Sequence, residues 1–90
     1  MCPSSESAPE ASVILPVPLH ARPAGRLAQL AARFRSAVEI EYGGRAVKVT
    51  GVLAVMSLGA ATGSAVVVRA EGDDAAEAVR SLAQMLAAAE

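Results

Sequence analysis

The chain has 90 residues and a net charge of −1, from eight basic and nine acidic residues. A domain of this size buries only about 60–65% of its unfolded surface, which excludes a large enclosed substrate cavity. One phenylalanine and one tyrosine are its only aromatic residues, and the sequence shows no basic stripe. Nucleic-acid binding by phosphate neutralisation or base stacking is therefore disfavoured.

The cysteine count and the length of the apolar runs indicate the compartment and argue against a membrane span. Cys2 is the only cysteine, which excludes an internal disulfide and a cysteine-rich metal site and favours the reducing cytoplasm. The longest apolar run, over residues 52–61, is interrupted by Ser57 and Gly59. It is shorter than the roughly 18 residues that a membrane span requires. We expect no signal peptide, no membrane insertion and no bound metal.

The N-terminal residues lack the pattern of a folded segment. Residues 1–11 are rich in serine and proline and carry no apolar period, which predicts a disordered leader before a domain over residues 12–90. The apolar run Val13-Ile14-Leu15 predicts a strand that ends at Pro16, because proline removes a ladder donor.

Helical spacing follows that strand. The apolar side of the predicted helix consists of Ala24, Leu27, Ala28, Ala31 and Phe34, whereas Arg26, Gln29, Arg33 and Arg35 fall largely outside it. The pattern predicts an amphipathic helix that begins near His20 or Arg22.

The period then changes to two. Val38, Ile40 and Tyr42 alternate with glutamates, and Gly43-Gly44 predicts a hairpin turn. On the return strand, Val47 and Val49 continue the alternation, with Lys48 outward. Residues 51–58 form a short apolar helical segment closed by Gly59, and the β-branched run over residues 64–70 predicts a further strand.

The last segment predicts a capped helix. Asp74 and Glu77 have capping-box spacing, and the buried side of the helix is predicted to consist of Ala75, Val79, Leu82 and Leu86. The element order is therefore β-α-β-β-α-β-α. A sheet with the helices on one face, an α+β fold, would cover every apolar side.

Leu19-His20-Ala21-Arg22-Pro23-Ala24 contains the only histidine, where the strand pattern gives way to the helix pattern. Neutral imidazole is a nucleophile near pH 7, and a phosphoryl group on it would need positive charge nearby. Arg22 and the N–H groups of a helix start can supply that charge. The alternative is that His20 is an ordinary surface or core residue and that Arg22 is an ordinary solvated charge. A cation at the positive end of a helix is unfavourable without an anion, which favours the phosphate site.

Three blocks in residues 12–90 resemble the HPr family, the histidine phosphocarriers of the phosphoenolpyruvate-dependent sugar phosphotransferase system. They are Leu19-His20-Ala21-Arg22-Pro23-Ala24, Val55-Met56-Ser57-Leu58-Gly59, and Ala70-Glu71-Gly72-Asp73-Asp74 with the helix after it. The resemblance implies an open-faced β-sandwich, a four-stranded antiparallel sheet covered on one face by three helices.

The resemblance also implies how the site works. His20 would accept a phosphoryl group on Nδ1 from phospho-Enzyme I and pass it to a IIA domain, without a cofactor of its own. Arg22 would pair with the phosphoryl oxygens, supported by the helix start at Ala21, Pro23 and Ala24. Glu90 falls at the usual end of the family, so its carboxylate is expected near Arg22. Such a chain is a transfer intermediate, expected to be monomeric, more than a free-standing enzyme.

A docking patch is implied beside the histidine. Leu53 and Met56 fall where the family exposes apolar side chains to its partners, and methionine suits a surface that accepts several partners. Helical spacing alone allows either residue to be core instead, as we expect for Val52, Val55 and Leu58.

Three positions depart from the family pattern. Pro18 and Val17 stand where glycine and asparagine are usual, which predicts a stiffer loop with one side-chain hydrogen bond fewer. Gly51 stands where many members carry a serine that a dedicated kinase phosphorylates, so that regulatory hydroxyl is absent. Thr50 is a poor substitute, because one residue turns a side chain by about 100° at a helix start.

Two other functions fit the same residues. One is a regulatory carrier of the nitrogen-related phosphotransfer branch, with the same chemistry but no sugar transport. The other is a non-catalytic HPr-like module that binds regulatory proteins through Leu53 and Met56. His20 and Arg22 argue against the second, because a protein that only binds does not need the pair.

Overall fold

The computed structural model describes residues 9–89, and its elements follow the predicted order. The strands are β1 (Glu10–Ile14), β2 (Ala37–Tyr42), β3 (Arg45–Lys48) and β4 (Ala65–Glu71), and the helices are α1 (Ala21–Ala31), α2 (Val52–Ser57) and α3 (Ala75–Ala87). The strands form one antiparallel sheet in the order β1-β4-β2-β3. Helix α3 packs on β1, β4 and β2, α2 packs on β3, and α1 contacts both other helices. The predicted α+β open-faced sandwich is confirmed.

The first strand begins earlier than the sequence predicted. Glu10 pairs with Arg69 and Ala11 with Val68, so the boundary of the predicted leader at residue 11 is wrong. The reason is that β1 lies at the edge of the sheet, where a charged residue can pair across the strands without an apolar period. The rest of that prediction, over residues 1–8, lies outside the described residues.

The core confirms the period-two and helical patterns. Its largest fully buried side chains come from every layer of the fold: Leu15, Leu27, Ile40, Val49, Val55, Val66, Val68, Leu82 and Leu86. All four predicted residues of the α3 face are buried. Phe34 is an exception, because α1 ends at Ala31 and Phe34 packs against the core from the turn that follows. Its N–H bonds to the carbonyl of Ala31, in the tighter spacing common at helix ends.

The predicted hairpin turn is confirmed. Gly43 and Gly44 join Tyr42 to its partner Arg45, with φ angles of 61° and 84°. Two consecutive residues with positive φ match the right-handed twist of the flanking strands, and glycine adopts such angles at no steric cost.

The predicted capping box of α3 is wrong. Asp74 is the N-cap residue, but its side chain makes no capping bond. Its carboxylate instead accepts hydrogen bonds from the Arg35 N–H at 2.9 Å, the Ser36 N–H at 2.9 Å and the Ser36 hydroxyl at 2.5 Å. These bonds, with the Ser36 hydroxyl foremost, lower the pKa of Asp74. A Cβ on Gly72 would lie 2.7 Å from Ser36 Oγ, so glycine is needed where the two loops meet.

Arg69 organises the face of the sheet that the helices leave open. Its guanidinium pairs with Glu10 of β1 and Glu41 of β2, each at 3.0 Å. The hydrogen bond to Glu10, followed by that to Glu41, raises the pKa of Arg69. Within residues 9–89, no helix has the length and apolar character needed to cross a membrane.

Candidate functional site

His20 occupies the N-cap position of α1. Its backbone is extended, with φ −95° and ψ −163°, and its carbonyl accepts the first helical hydrogen bond, from the Ala24 N–H at 3.0 Å. The residue is exposed, and its side chain makes no capping bond. The imidazole therefore stands at the surface, at the positive end of a helix, where a partner can reach it.

Hydrogen bonds fix the backbone of the loop before His20 near both of its ends. Leu19 is buried, and its N–H donates to the carbonyl of Ala60 at 3.0 Å. Earlier in the same loop, Leu15 bonds through its N–H to Ser64 and through its carbonyl to Gly63. The loop over residues 15–20 is thus tied to the connection between α2 and β4, which fixes His20 relative to α2.

The start of α1 leaves few backbone donors free for an anion. Pro23 has no N–H and is buried, and the N–H of Ala24 already bonds to His20. The N–H groups of Ala21 and Arg22 are the ones without a carbonyl four residues earlier inside the helix. Of the predicted supporting residues, Ala21 can donate to a phosphate, whereas Pro23 and Ala24 contribute by shaping the turn.

Arg22 lies in the first turn of α1 and is exposed. It borders a surface depression together with Pro23, Arg26 and the C-terminal residues Ala88 and Ala89. The α3 terminus is therefore close to Arg22. The predicted contact of the Glu90 carboxylate with Arg22 lies outside the described residues.

Arg26 lies next to the candidate site, although the sequence analysis did not single it out. It was assigned only to the polar side of α1, yet it borders the same depression as Arg22. The signal was the spacing of four residues between them, which places both on one side of a helix. Arg33, in the turn after α1, borders a neighbouring depression together with Arg26.

The two predicted docking residues differ in exposure. Leu53 is 80% exposed on α2, whereas Met56 is half-buried and packs against the core. Val55 and Leu58 are buried as predicted, and Val52 is half-buried. The exposed apolar surface of α2 is therefore provided mainly by Leu53.

Gly51 is the N-cap residue of α2, with φ −92° and ψ 90°. Its carbonyl accepts the N–H of Val55 at 2.9 Å. Thr50 precedes the helix and is exposed. The position that lacks a hydroxyl is thus at the helix start, close in sequence to the exposed Leu53.

Comparison with known families gives a match over nearly all of the described chain. The family model for the PTS HPr component phosphorylation site matches residues 9–88. The chain belongs to the HPr family. The match includes both His20 and Arg22 and begins one residue before β1.

Solved HPr structures share its fold. The phosphocarrier protein HPr of Bacillus anthracis is 37% identical, with a TM-score of 0.79 over 86% of this chain and 94% of that one. A Mycoplasma histidine-containing phosphocarrier protein is 32% identical, with a TM-score of 0.78 over 84% of this chain and 89% of that one.

A relative with a different description is also similar. Crh, described as a catabolite repression protein of Bacillus subtilis and as an intertwined dimer with a swapped domain, is 35% identical. Its TM-score is 0.73 over 96% of this chain and 93% of that one. The HPr fold therefore also occurs in a relative that is described by its part in catabolite repression.

Proposed function

We propose that this HPr-family chain is a phosphocarrier that accepts a phosphoryl group on His20 from phospho-Enzyme I and passes it to a IIA domain. The observation that carries the proposal is an exposed histidine at the N-cap of α1, with Arg22 in the first turn of the same helix. A cytoplasmic setting, as the single cysteine predicts, suits both partners.

The transfer needs no cofactor. The lone pair of His20 Nδ1 attacks phosphorus, and the new N–P bond forms as the bond between phosphorus and the donor breaks. The electron pair of the broken bond stays on the donor. In the second step a nucleophile of the acceptor attacks the same phosphorus. The N–P bond breaks, and its electron pair returns to His20 Nδ1.

Charge at the helix start would stabilise the phosphoryl group in both steps. The Ala21 and Arg22 N–H groups and the Arg22 guanidinium are donors close to His20 in sequence, and donors to an anion form stronger bonds than neutral pairs do. Because these groups are already in position on a helix, little reorganisation is needed during transfer.

Leu53 is proposed as the apolar contact for both partners, with Met56 at the edge of the patch. Helix α2 packs against α1, and the loop before His20 is bonded to the connection after α2, so a partner on Leu53 would lie near the helix that carries His20. The shared patch explains how one small surface could serve a donor and an acceptor in turn.

The second candidate is a regulatory role, which the similarity to Crh favours. The description of Crh concerns catabolite repression, so the similarity supports a module that binds regulatory proteins, whereas a nitrogen-type carrier rests on the shared chemistry alone. The presence of His20 and Arg22 supports transfer over binding alone.

A two-step relay distinguishes these functions. The protein is loaded with labelled phosphate from phosphoenolpyruvate and Enzyme I, separated from Enzyme I, and mixed with a IIA domain. We expect loading of the parent, none of His20→Ala, and passage of the label to the IIA domain. Faster loading by a nitrogen-type Enzyme I would assign the chain to that branch. Failure of the parent to load from either enzyme would contradict the proposal and favour a binding module.

A further inference from the structure

Helices α1 and α3 border a groove that phosphoryl transfer through His20 does not explain. One depression is bordered by Arg22, Arg26, Met85 and the end of α3, and a second by Arg26, Leu30, Arg33 and Met85. Because the two share Arg26 and Met85, they adjoin each other and together form a shallow groove. We call this the α1–α3 groove.

One wall of the groove is basic. Arg22 and Arg26 lie one turn apart on the same side of α1, and Arg33 borders the groove from the turn that follows the helix. Helix α1 contains no acidic residue. In the part of the chain that the structure describes, the ion pairs belong to Arg69 on the open face of the sheet. Like charges one turn apart repel each other, so an anionic partner would relieve that repulsion.

The floor of the groove is apolar. Leu30 and Met85 are half-buried, and both pack against the core while bordering the groove. Ala88 and Ala89 continue the surface at the end of α3. The combination of an apolar floor and one basic wall is complementary to a surface with apolar and acidic side chains next to each other.

The length and shape of the groove favour a helix as its occupant. From Arg22 to the end of α1 at Ala31 the wall spans about 14 Å, and Arg33 extends it from the turn that follows. An amphipathic helix places apolar side chains along one stripe and carboxylates along its flank, and both would meet matching surfaces here. Two flanking helices offer no sheet edge for an extended peptide. An overall charge of −1 and only two aromatic residues make nucleic acid a poorer match.

We propose that the α1–α3 groove is a docking site for an acidic amphipathic helix of a partner protein. Leu30 and Met85 contact its apolar stripe, and Arg26 and Arg33 pair with its carboxylates. This surface is additional to the Leu53 patch and does not depend on phosphoryl transfer. A helix seated in it ends beside Arg22, next to the proposed phosphoryl site.

The test uses a synthetic 18-residue helical peptide with leucine along one stripe and glutamate along one flank. We expect saturable binding to the full chain, with amide shifts in NMR spectra confined to α1 and the second half of α3. A scrambled peptide of the same composition and a peptide with lysine in place of glutamate serve as controls. Both should bind at least tenfold more weakly.

Matched variants locate the binding surface. The double variant Arg26→Gln/Arg33→Gln should raise the Kd at least tenfold and flatten its salt dependence. Arg45→Gln/Lys48→Gln removes the same charge from exposed positions on β3 and should leave the Kd within twofold. Equal urea midpoints would show that both variants fold.

Several results would overturn the proposal. They are no binding of the acidic peptide, equal binding of the scrambled peptide, amide shifts centred on Leu53, or parent-like affinity of Arg26→Gln/Arg33→Gln. Vesicles of phosphatidylcholine with one third phosphatidylserine, and an RNA duplex, are run in parallel. Stronger groove shifts with either of them would assign the surface to a membrane or to nucleic acid instead.

Discussion

His20 and Arg22 stand two residues apart, at the N-cap and in the first turn of α1, and both are exposed. Neither has a role in the core, so the fold does not account for a cation at the positive end of this helix. The phosphoryl group that we propose for this site would explain both the exposure and the charge.

Arg22 therefore gives the first prediction. Arg22→Ala should slow transfer from Enzyme I by about 10- to 100-fold, because a charge-assisted hydrogen bond contributes about 1.5–3 kcal/mol. Arg22→Lys should recover only part of the rate, since lysine lacks the bidentate fork. Rates from rapid-quench labelling and midpoints from urea unfolding separate chemistry from stability. Parent-like rates in both variants would remove Arg22 from the mechanism.

Asp74 gives a pH-dependent prediction. Its pKa is lower in the folded protein than its ordinary value of 3.8, so its stabilising effect is present above about pH 4 and lost as pH falls through the folded value. Asp74→Ala should be less stable than the parent between pH 5 and 8, and the difference should shrink below about pH 4. Urea unfolding at a series of pH values measures this. Asp73→Ala, at an exposed neighbouring position, is the control, and a pH-independent gap for Asp74→Ala would contradict the assignment.

Single residues also show where sequence prediction fails. The local spacing between Asp74 and Glu77 suggested a capping box. The hydrogen-bond partners of Asp74 instead lie 38 and 39 residues away in the sequence, where local spacing could not reveal them. His20 and Arg22 could be singled out because their pattern is local. Arg26 could have been found from the same helical spacing.

At the scale of elements, the short helix α2 carries both the exposed Leu53 and, at its N-cap, Gly51, the position that lacks a hydroxyl. A Cβ on Gly51 would meet Ala54 Cβ and the Lys48 carbonyl at 3.5 Å, an ordinary contact distance. The backbone there has a negative φ, which any residue adopts. A serine is therefore accommodated, and as an N-cap it should add a few tenths of a kcal/mol of stability over glycine.

The regulatory prediction follows from this geometry. The parent should not be a substrate of HPr kinase, whereas Gly51→Ser should accept phosphate. That phosphate adds a charge of roughly −2 beside Leu53, so transfer to His20 should slow. Phosphopeptide mapping after incubation with the kinase and ATP measures both proteins. Stoichiometric phosphate on Thr50 or Ser57 of the parent would show that serine-type control is retained.

Leu53 tests the docking patch. Leu53→Ala should reduce the second-order rate of loading by Enzyme I about 5- to 30-fold, the loss of an apolar contact of about 1–2 kcal/mol. Stability should change by less than about 0.5 kcal/mol, because the side chain is already exposed. Ile14→Ala is the matched control, an apolar side chain 63% exposed on β1. Equal rate losses in the two variants would mean that the patch is not specific.

Elements were predicted well where the apolar pattern was strong. The order of strands and helices, the glycine hairpin and the buried side of α3 all followed from period and turn chemistry. Boundaries were less accurate, because Glu10 joins β1 through pairing with Arg69 and Phe34 packs from outside α1. Pairing and packing across the fold decided both positions.

At the scale of the whole molecule, charge is distributed unevenly. Arginines occupy the exposed side of α1, while glutamates flank Arg69 on the open face of the sheet. The net charge of −1 does not show where the basic and acidic residues lie, because it sums over both sides of the fold. The partner helix that we propose would contact the arginines of α1. The monomeric state stays a prediction; Crh and an HPr of Thermoanaerobacter tengcongensis are described as dimers.

The most direct test of the phosphocarrier proposal is the site of phosphate after incubation with Enzyme I and phosphoenolpyruvate. We predict one phosphate per chain on His20, labile in acid and stable in alkali, and a folded His20→Ala variant that takes up none. Mass spectrometry of the intact protein and its peptides under alkaline conditions measures both. Full labelling of His20→Ala, or an acid-stable phosphate on the parent, would contradict the assignment of His20 as the phosphoryl acceptor.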